Sequence, residues 1–416
     1  MSLYKSISTY SAVSILNAGV PFLLLPVLTS YLSVEDYGLL AIVQIFIIFV
    51  TPFVSINICS YIRAEYHHIT KDQLSTLVSS ILCIPLVFVI VVWSCLFNYG
   101  TLIDAVIPIS LIGTLTVPLI VLSQIIPQVV LTLYQISGNA IKFGKYQLCL
   151  TFLNIVLTLI LVITWELSWQ GRLLAILLSN TIFTLVGLVL IFKMKLINLD
   201  IQFKYILKSL KFGGSLIVHV LSGALFIMSD RLFISYYLGT EEVGMYAVGV
   251  QVAMIVFIIQ HAFNQAWAPY LFNKLKSESI ENNISIVKIS YLAFGFFLTL
   301  PFVVDMLSSP IFFYVIDQKF NNAIQYVFWV ALGFGFLGMY KVVTNYIFYE
   351  KKGFLLSVMT FFSLVVNLIL NYFLLHKYGA IGVAYATAIT IFIFFIAAFL
   401  MANRLHKMPW LYFLKN

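Results

Sequence analysis

Three ionisable side chains sit where a chain of this make-up tolerates few. Asp230, Arg231 and Lys341 lie inside apolar stretches long enough to cross a membrane. A charge at that depth costs several kcal/mol by insertion scales, so it faces water or a partner. Arg231 falls about five residues past the centre of its stretch, roughly 7 Å from the midplane at 1.5 Å per residue. Asp230 points about 100° away around the helix, so the two are poorly placed to neutralise each other. The guanidinium has two readings: a contact for an anion, since its planar fork suits phosphate, or a structural ion pair between helices. Lys341 either enters a cavity or snorkels to the interface. Arg63, at a cytoplasmic span end, either flanks a mouth or is an ordinary loop charge. His219 and His261 are either proton sites, as are Asp230's prospects for ion coupling, or packing groups.

Uncharged polar residues inside the apolar runs include Asn17, Gln44, Asn57, Gln124, Gln128, Asn154, Asn180, Gln251, Gln260, Asn264 and Gln265. Some are interhelical glue, and others line a route for a hydroxyl-rich substrate. Of these, Asn17, Gln44, Asn154 and Asn264 join Arg231, Lys341, Asp230 and Arg63 as candidate substrate contacts. Cys59, Cys83, Cys95 and Cys149 sit in apolar runs without a CxxC pair and read as small hydrophobes. No motif calls for a metal, a cofactor or catalysis: there is no Walker sequence and no Ser/His/Asp arrangement in a soluble domain.

The elements holding these groups follow from composition. With 416 residues, 62% hydrophobic and 9% charged, and a mean hydropathy of +1.05, the chain is an integral membrane protein. The net charge of +8 has no soluble surface behind it, which removes a nucleic-acid partner and leaves the lipid bilayer. Uncharged runs predict twelve helical spans: residues 10–32, 38–62, 74–97, 107–131, 146–164, 173–192, 215–238, 243–267, 289–306, 326–348, 354–375 and 381–402. Pro301 and Pro310 blur the ninth and tenth. Pro21, Pro26, Pro108, Pro118 and Pro127 supply kink points. Eighteen cations fall on the side of the N-terminus against three, Arg172, Lys319 and Lys377, on the other, which places both termini in the cytoplasm. The run from Ser6 is too long for a signal h-region and reads as a permanent span.

The chain also repeats. Tyr31-Leu-Ser-Val-Glu-Asp-Tyr-Gly-Leu-Leu-Ala41 matches Tyr237-Leu-Gly-Thr-Glu-Glu-Val-Gly-Met-Tyr-Ala247 at an offset of 206 residues, and Gly144, Thr151-Phe152 and Leu159-Ile-Leu161 recur 209 residues on. This predicts a duplication of six spans: an N-terminal lobe over 1–192 and a C-terminal lobe over 213–416, pseudo-symmetric six-helix bundles around a central cavity. Lys204, Lys208 and Lys211 at i, i+4 and i+7 make 193–212 either an amphipathic interfacial helix on the anionic leaflet or a solvated linker.

Four segments carry a resemblance: Leu25-Pro-Val-Leu-Thr-Ser-Tyr-Leu-Ser-Val-Glu-Asp-Tyr-Gly-Leu-Leu, Asp230-Arg-Leu-Phe-Ile-Ser-Tyr-Tyr-Leu-Gly, Phe263-Asn-Gln-Ala-Trp-Ala-Pro and Lys377-Tyr-Gly-Ala-Ile-Gly-Val-Ala-Tyr-Ala-Thr. The whole chain resembles the Wzx-type O-antigen and capsule flippases of the MOP superfamily. The resemblance implies a non-enzymatic protein of the bacterial inner membrane that moves undecaprenyl-pyrophosphate-linked oligosaccharide to the periplasmic leaflet by alternating access. It implies cationic cavity residues on the pyrophosphate, carried over to Arg231 and Lys341, and coupling to H+ or Na+. A polysaccharide polymerase and a chain-length regulator would be its partners. A MATE-type cation or drug antiporter and a lipid II flippase share the fold; a membrane polysaccharide polymerase would need a larger external loop than the one near 308–323.

Overall fold

A computed structural model describes residues 3–104, 111–198, 200–276 and 279–412; side chains are described for these except 3–12, 14–15, 99–104, 111–112, 219, 222–223 and 226–227. Pro108 and the His219 side chain lie outside that set. The fold is all-α. Its helices are α1 (Leu3–Tyr31), α2 (Val34–Ser55), α3 (Ile58–Glu65), α4 (Lys71–Ile81), α5 (Cys83–Asp104), α6 (Leu111–Ile136) and α7 (Ala140–Leu159), then α8 (Ser168–Lys193), α9 (Phe203–Leu238), α10 (Thr240–Leu275), α11 (Ile280–Tyr314), α12 (Ile324–Tyr349), α13 (Gly353–Tyr378) and α14 (Ala380–Leu405). Ten candidate spans among the described residues are long and apolar enough to cross a bilayer. α1 and α9 stand where the first and seventh spans were expected.

Four local expectations are corrected. The second span is two helices, α2 and α3, because Ile56 and Asn57 adopt left-handed φ of 44° and 51°. Asn tolerates that region; a β-branched Ile does so only under tertiary constraint. The constraint is α9: Asn57 Nδ2 donates to Gly213 O at 3.2 Å, and a β-carbon on Gly213 would overlap the Ile56 carbonyl oxygen. The third span is likewise interrupted at Leu82, between α4 and α5. The segment 193–212 forms no separate interfacial helix. After a short non-helical stretch it becomes the first turns of α9, whose 36 residues extend about 54 Å, well beyond the hydrocarbon thickness. Finally, Arg172, counted among the loop cations, is inside α8. Pro301 and Pro310, by contrast, do not break α11.

The chain divides into two compact units: Met1–Met228 with Gly239–Gly244, and Ser229–Leu238 with Met245–Asn416. In the first, α6 packs on α8 and α2, and α1 on α7. Tyr146 Oη donates to Phe183 O at 2.7 Å, fixing α7 to α8. The turn after α9 belongs to this unit, and small residues let it approach α2 closely. A β-carbon at Gly38 would overlap the Thr240 carbonyl oxygen and come within 3.0 Å of Gly244 N. One at Gly244 would overlap the Val34 carbonyl oxygen and come within 3.1 Å of Gly38 N. In the second unit α12 packs between α11 and α14. Trp267, Phe297, Val343 and Tyr346 fill its core, and Trp410, after α14, folds back onto it.

Candidate functional site

Asp230 is the most enclosed of the predicted charges, at 6% exposure. It lies near the end of α9, where the second unit begins, and four helices supply its surroundings. Tyr246 Oη of α10 donates to Oδ2 at 2.7 Å; Thr387 Oγ1 of α14 lies 3.0 and 2.8 Å from Oδ1 and Oδ2. Asn371 Nδ2 of α13 donates to Oδ1 at 3.2 Å. A second layer extends the network, with Ser229 Oγ donating to Asn367 Oδ1 at 2.7 Å and Asn371 Nδ2 to the same oxygen at 3.1 Å. Asn371 Oδ1 is buried without a partner in the chain. Hydroxyl and amide donors around a carboxylate replace the water it lost, which is how a chain keeps such a group within hydrocarbon depth.

Arg231 is half-buried and makes no ion pair: the ion pairs among the described residues are Lys319–Asp317 and His406–Glu350. Its Nε is buried without a hydrogen-bond partner among the described residues. No direct ion-pair contact joins it to Asp230, although its charge acts on that carboxylate, and the guanidinium keeps donor capacity for a ligand.

Lys341 lies on α12 against α10. Its ammonium stands 5.5 Å from the centroid of Phe257, a contact of the cation–π kind. One turn along α10 is exposed His261, whose Nδ1 is 3.1 Å from Gln265 Nε2. Asn345, one turn beyond Lys341, donates to Asn264 Oδ1 at 2.8 Å and to the Lys341 carbonyl at 2.7 Å. The structure thus brings together Lys341, His261 and Asn264. The sequence reading missed Asn345 and Phe257; the i+4 spacing of Asn345 from Lys341 was the available signal.

The candidates of the first unit form other groupings. Asn17 Oδ1 accepts from Thr151 Oγ1 at 2.7 Å and Gln147 Nε2 at 3.2 Å, tying α1 to α7. Asn154 Oδ1 accepts from Arg172 Nη1 at 2.6 Å, and Thr158 Oγ1 accepts from the same nitrogen at 2.8 Å. Asn154 is thereby engaged inside the unit. Arg63 Nη2 donates to Gln135 Oε1 at 3.3 Å on the exposed end of α6. Gln44 is exposed on a helix whose neighbouring positions are buried. Gln260 is fully buried, and neither amide atom finds a partner in the chain. A groove of about 600 Å³ lined by Ile90, Trp93, Phe97 and Leu119 contains none of these residues; its apolar wall suits lipid chains. No cluster of metal-ligating side chains occurs among the described residues.

The pattern of buried charge within this all-helical, multi-span frame can be set beside known proteins. Residues 3–275 match the family model described as polysaccharide biosynthesis protein. The chain belongs to that family. Two proteins of Haemophilus influenzae are similar over most of their length: an uncharacterized membrane protein, 27% identical over 85% of each chain, and Lsg locus putative protein 1, 26% identical over 88% of this chain and 90% of its own. Among solved structures, an inward-facing multidrug resistance MATE family transporter of the MOP superfamily has a TM-score of 0.74 at 14% identity, covering 93% of this chain and 94% of that one. Lipid II flippase MurJ in an inward closed conformation gives 0.76 at 15% identity, over 95% and 87%. At these identities the structures show the fold. This polysaccharide biosynthesis family member is therefore a multi-pass membrane protein with the MOP-superfamily transporter architecture.

Proposed function

We propose that the protein carries a glycan linked to undecaprenyl pyrophosphate, of O-antigen or capsule type, across the bacterial inner membrane to the periplasmic leaflet. There a polymerase and chain-length regulator would take it up. The observation that carries this reading is the pair of deep cations, Arg231 and Lys341, that form no ion pair among the described residues. A cation at membrane depth without a carboxylate partner suits an anionic head group. A pyrophosphate cannot cross hydrocarbon bare, whereas the polyprenyl tail remains in lipid while the head group passes through a wet route. Alternating access needs only two conformations that bind the same substrate and open to opposite leaflets. Asp230 serves as the H+ or Na+ coupling group, since its oxygens are enclosed by hydroxyls and amides rather than by cations. A MATE-type antiporter for cationic drugs is the second reading, and the same buried carboxylate is what favours it.

Deleting the gene in its native host separates the two. Mass spectrometry of lipid-linked sugars is expected to show accumulated polyprenyl-pyrophosphate repeat units, with the surface glycan lost. Unchanged glycan with altered drug sensitivity would move the assignment to the antiporter. In complementation, Arg231→Ala inserted at the wild-type level is expected to restore less than about a tenth of the glycan, the loss of roughly one charge-assisted hydrogen bond. Arg231→Lys is expected to restore more. Full restoration by the alanine variant would remove Arg231 from the phosphate contact.

A further inference from the structure

The first unit has two kinds of exposed helix face, and they differ in chemistry. On α8 the exposed positions Leu174, Leu178, Ile182, Leu185 and Val189 are apolar, as a face against lipid requires. On the cytoplasmic half of α6 the pattern is inverted. Val121, Ile125, Val129, Val130 and Leu133 are buried, the two exposed residues are Gln128 and Gln135, and Gln124 is half-buried, as are Leu122, Ile126 and Leu131. Together with Leu131 the three glutamines fall at i, i+4, i+7 and i+11, a single stripe about 16 Å long. Helix α2 packs beside α6 and presents exposed Gln44 among buried Ile42, Val43, Ile45 and Phe46. Amides left open to lipid would lose their hydrogen bonds to water without replacement, so this stripe faces a water-filled space.

Its chemistry narrows what that space accepts. Gln44, Gln124 and Gln128 make no side-chain hydrogen bond among the described residues. The one charge on the stripe is Arg63, held by Gln135 at its cytoplasmic end. An amide offers both two donors and an acceptor, which matches hydroxyl and acetamido groups. Phosphate needs donors alone, and an alkyl chain needs neither. We propose that this stripe of the first unit, with Gln124 and Gln128 on α6 and Gln44 on the adjoining helix α2, binds the uncharged sugars of the substrate. It gives the first unit a specificity role separate from the cationic contacts of the second, and it rests on the glycolipid reading above.

The test compares two lipids on the full-length protein in nanodiscs: bare undecaprenyl pyrophosphate, and the lipid-linked oligosaccharide extracted from the deletion strain. Wild type is expected to bind the oligosaccharide-bearing lipid about tenfold more tightly, the equivalent of one or two net hydrogen bonds. The Gln124→Ala/Gln128→Ala variant is expected to lose most of that preference while binding bare undecaprenyl pyrophosphate within about twofold of wild type. Gln44→Ala, on the neighbouring helix, is measured in the same way, so a poorly folded double variant does not end the test. Retention of the preference in all these variants overturns the stripe, as does equal weakening for both lipids or an absence of preference in wild type. If wild type binds neither lipid, the glycolipid reading itself falls.

Discussion

A carboxylate at position 230 survives in the bundle because other helices bring donors to it. Tyr246, Thr387 and Asn371 each contribute at least one hydrogen bond, and each lies on a different helix. Asp230→Ala leaves those donors facing one another and is expected to lower stability by about 1–3 kcal/mol for each donor left unsatisfied, read as a lower melting temperature in detergent. Asp230→Asn keeps the shape and most of the hydrogen bonding but removes the titratable carboxylate. In proteoliposomes, flipping by this variant is expected to stop responding to an imposed proton or sodium gradient. A response equal to that of wild type would remove Asp230 from coupling. That Asp230 and Arg231 are special was legible in the sequence, because ionisable groups in an apolar run are conspicuous. Their surroundings were not, because Tyr246, Asn371 and Thr387 are ordinary residues in other apolar runs. The same holds for Arg172: its place beside Asn154 depends on where α8 begins, and a hydropathy count resolves that only to within several residues.

At the scale of elements, apolar length predicted twelve spans where ten candidate spans are found among the described residues, and it read their continuity poorly. Nothing in the run from Gly38 to Ile62 signals an interruption at Ile56, because the left-handed pair is imposed by Gly213 of a helix more than 150 residues away. Gly38 and Gly244, by contrast, stand at matching positions of the sequence repeat. Because an added β-carbon at either would overlap a carbonyl oxygen of the facing helix, Gly38→Ala is expected to force α2 and the first turn of α10 apart. The measurement is labelling of Val34→Cys, with the four native cysteines replaced, by a membrane-impermeant maleimide in intact cells. Labelling should rise several-fold in the Gly38→Ala background. Unchanged labelling would mean that the helices accommodate the methyl group without separating.

For the whole molecule, the charge asymmetry of the loops makes a prediction that contacts cannot. The excess of cations on one side predicts cytoplasmic termini, so alkaline phosphatase fused to either end is expected to be inactive and green fluorescent protein fused to either end to fluoresce. Active phosphatase at one end would mean an odd number of spans. The fold class was readable from composition because bilayer thickness leaves a chain so apolar few alternatives. The apportioning of the chain into units was less so. A helix as long as α9 serves both, and the change from one to the other inside it, between Met228 and Ser229, carries no sequence mark.

The close approach of α2 to the turn before α10 sets a steric limit on both segments. Thr240 is the counterpart of Val34 in the repeat, and Gly244 is the counterpart of Gly38. Gly38 meets Thr240 and Gly244, while Gly244 meets Val34 and Gly38, so each segment presents to the other the surface it receives. Glycine at both positions is the minimum that two segments pressed backbone to backbone require, so the spacing between them is fixed by the chain's smallest residue at each point.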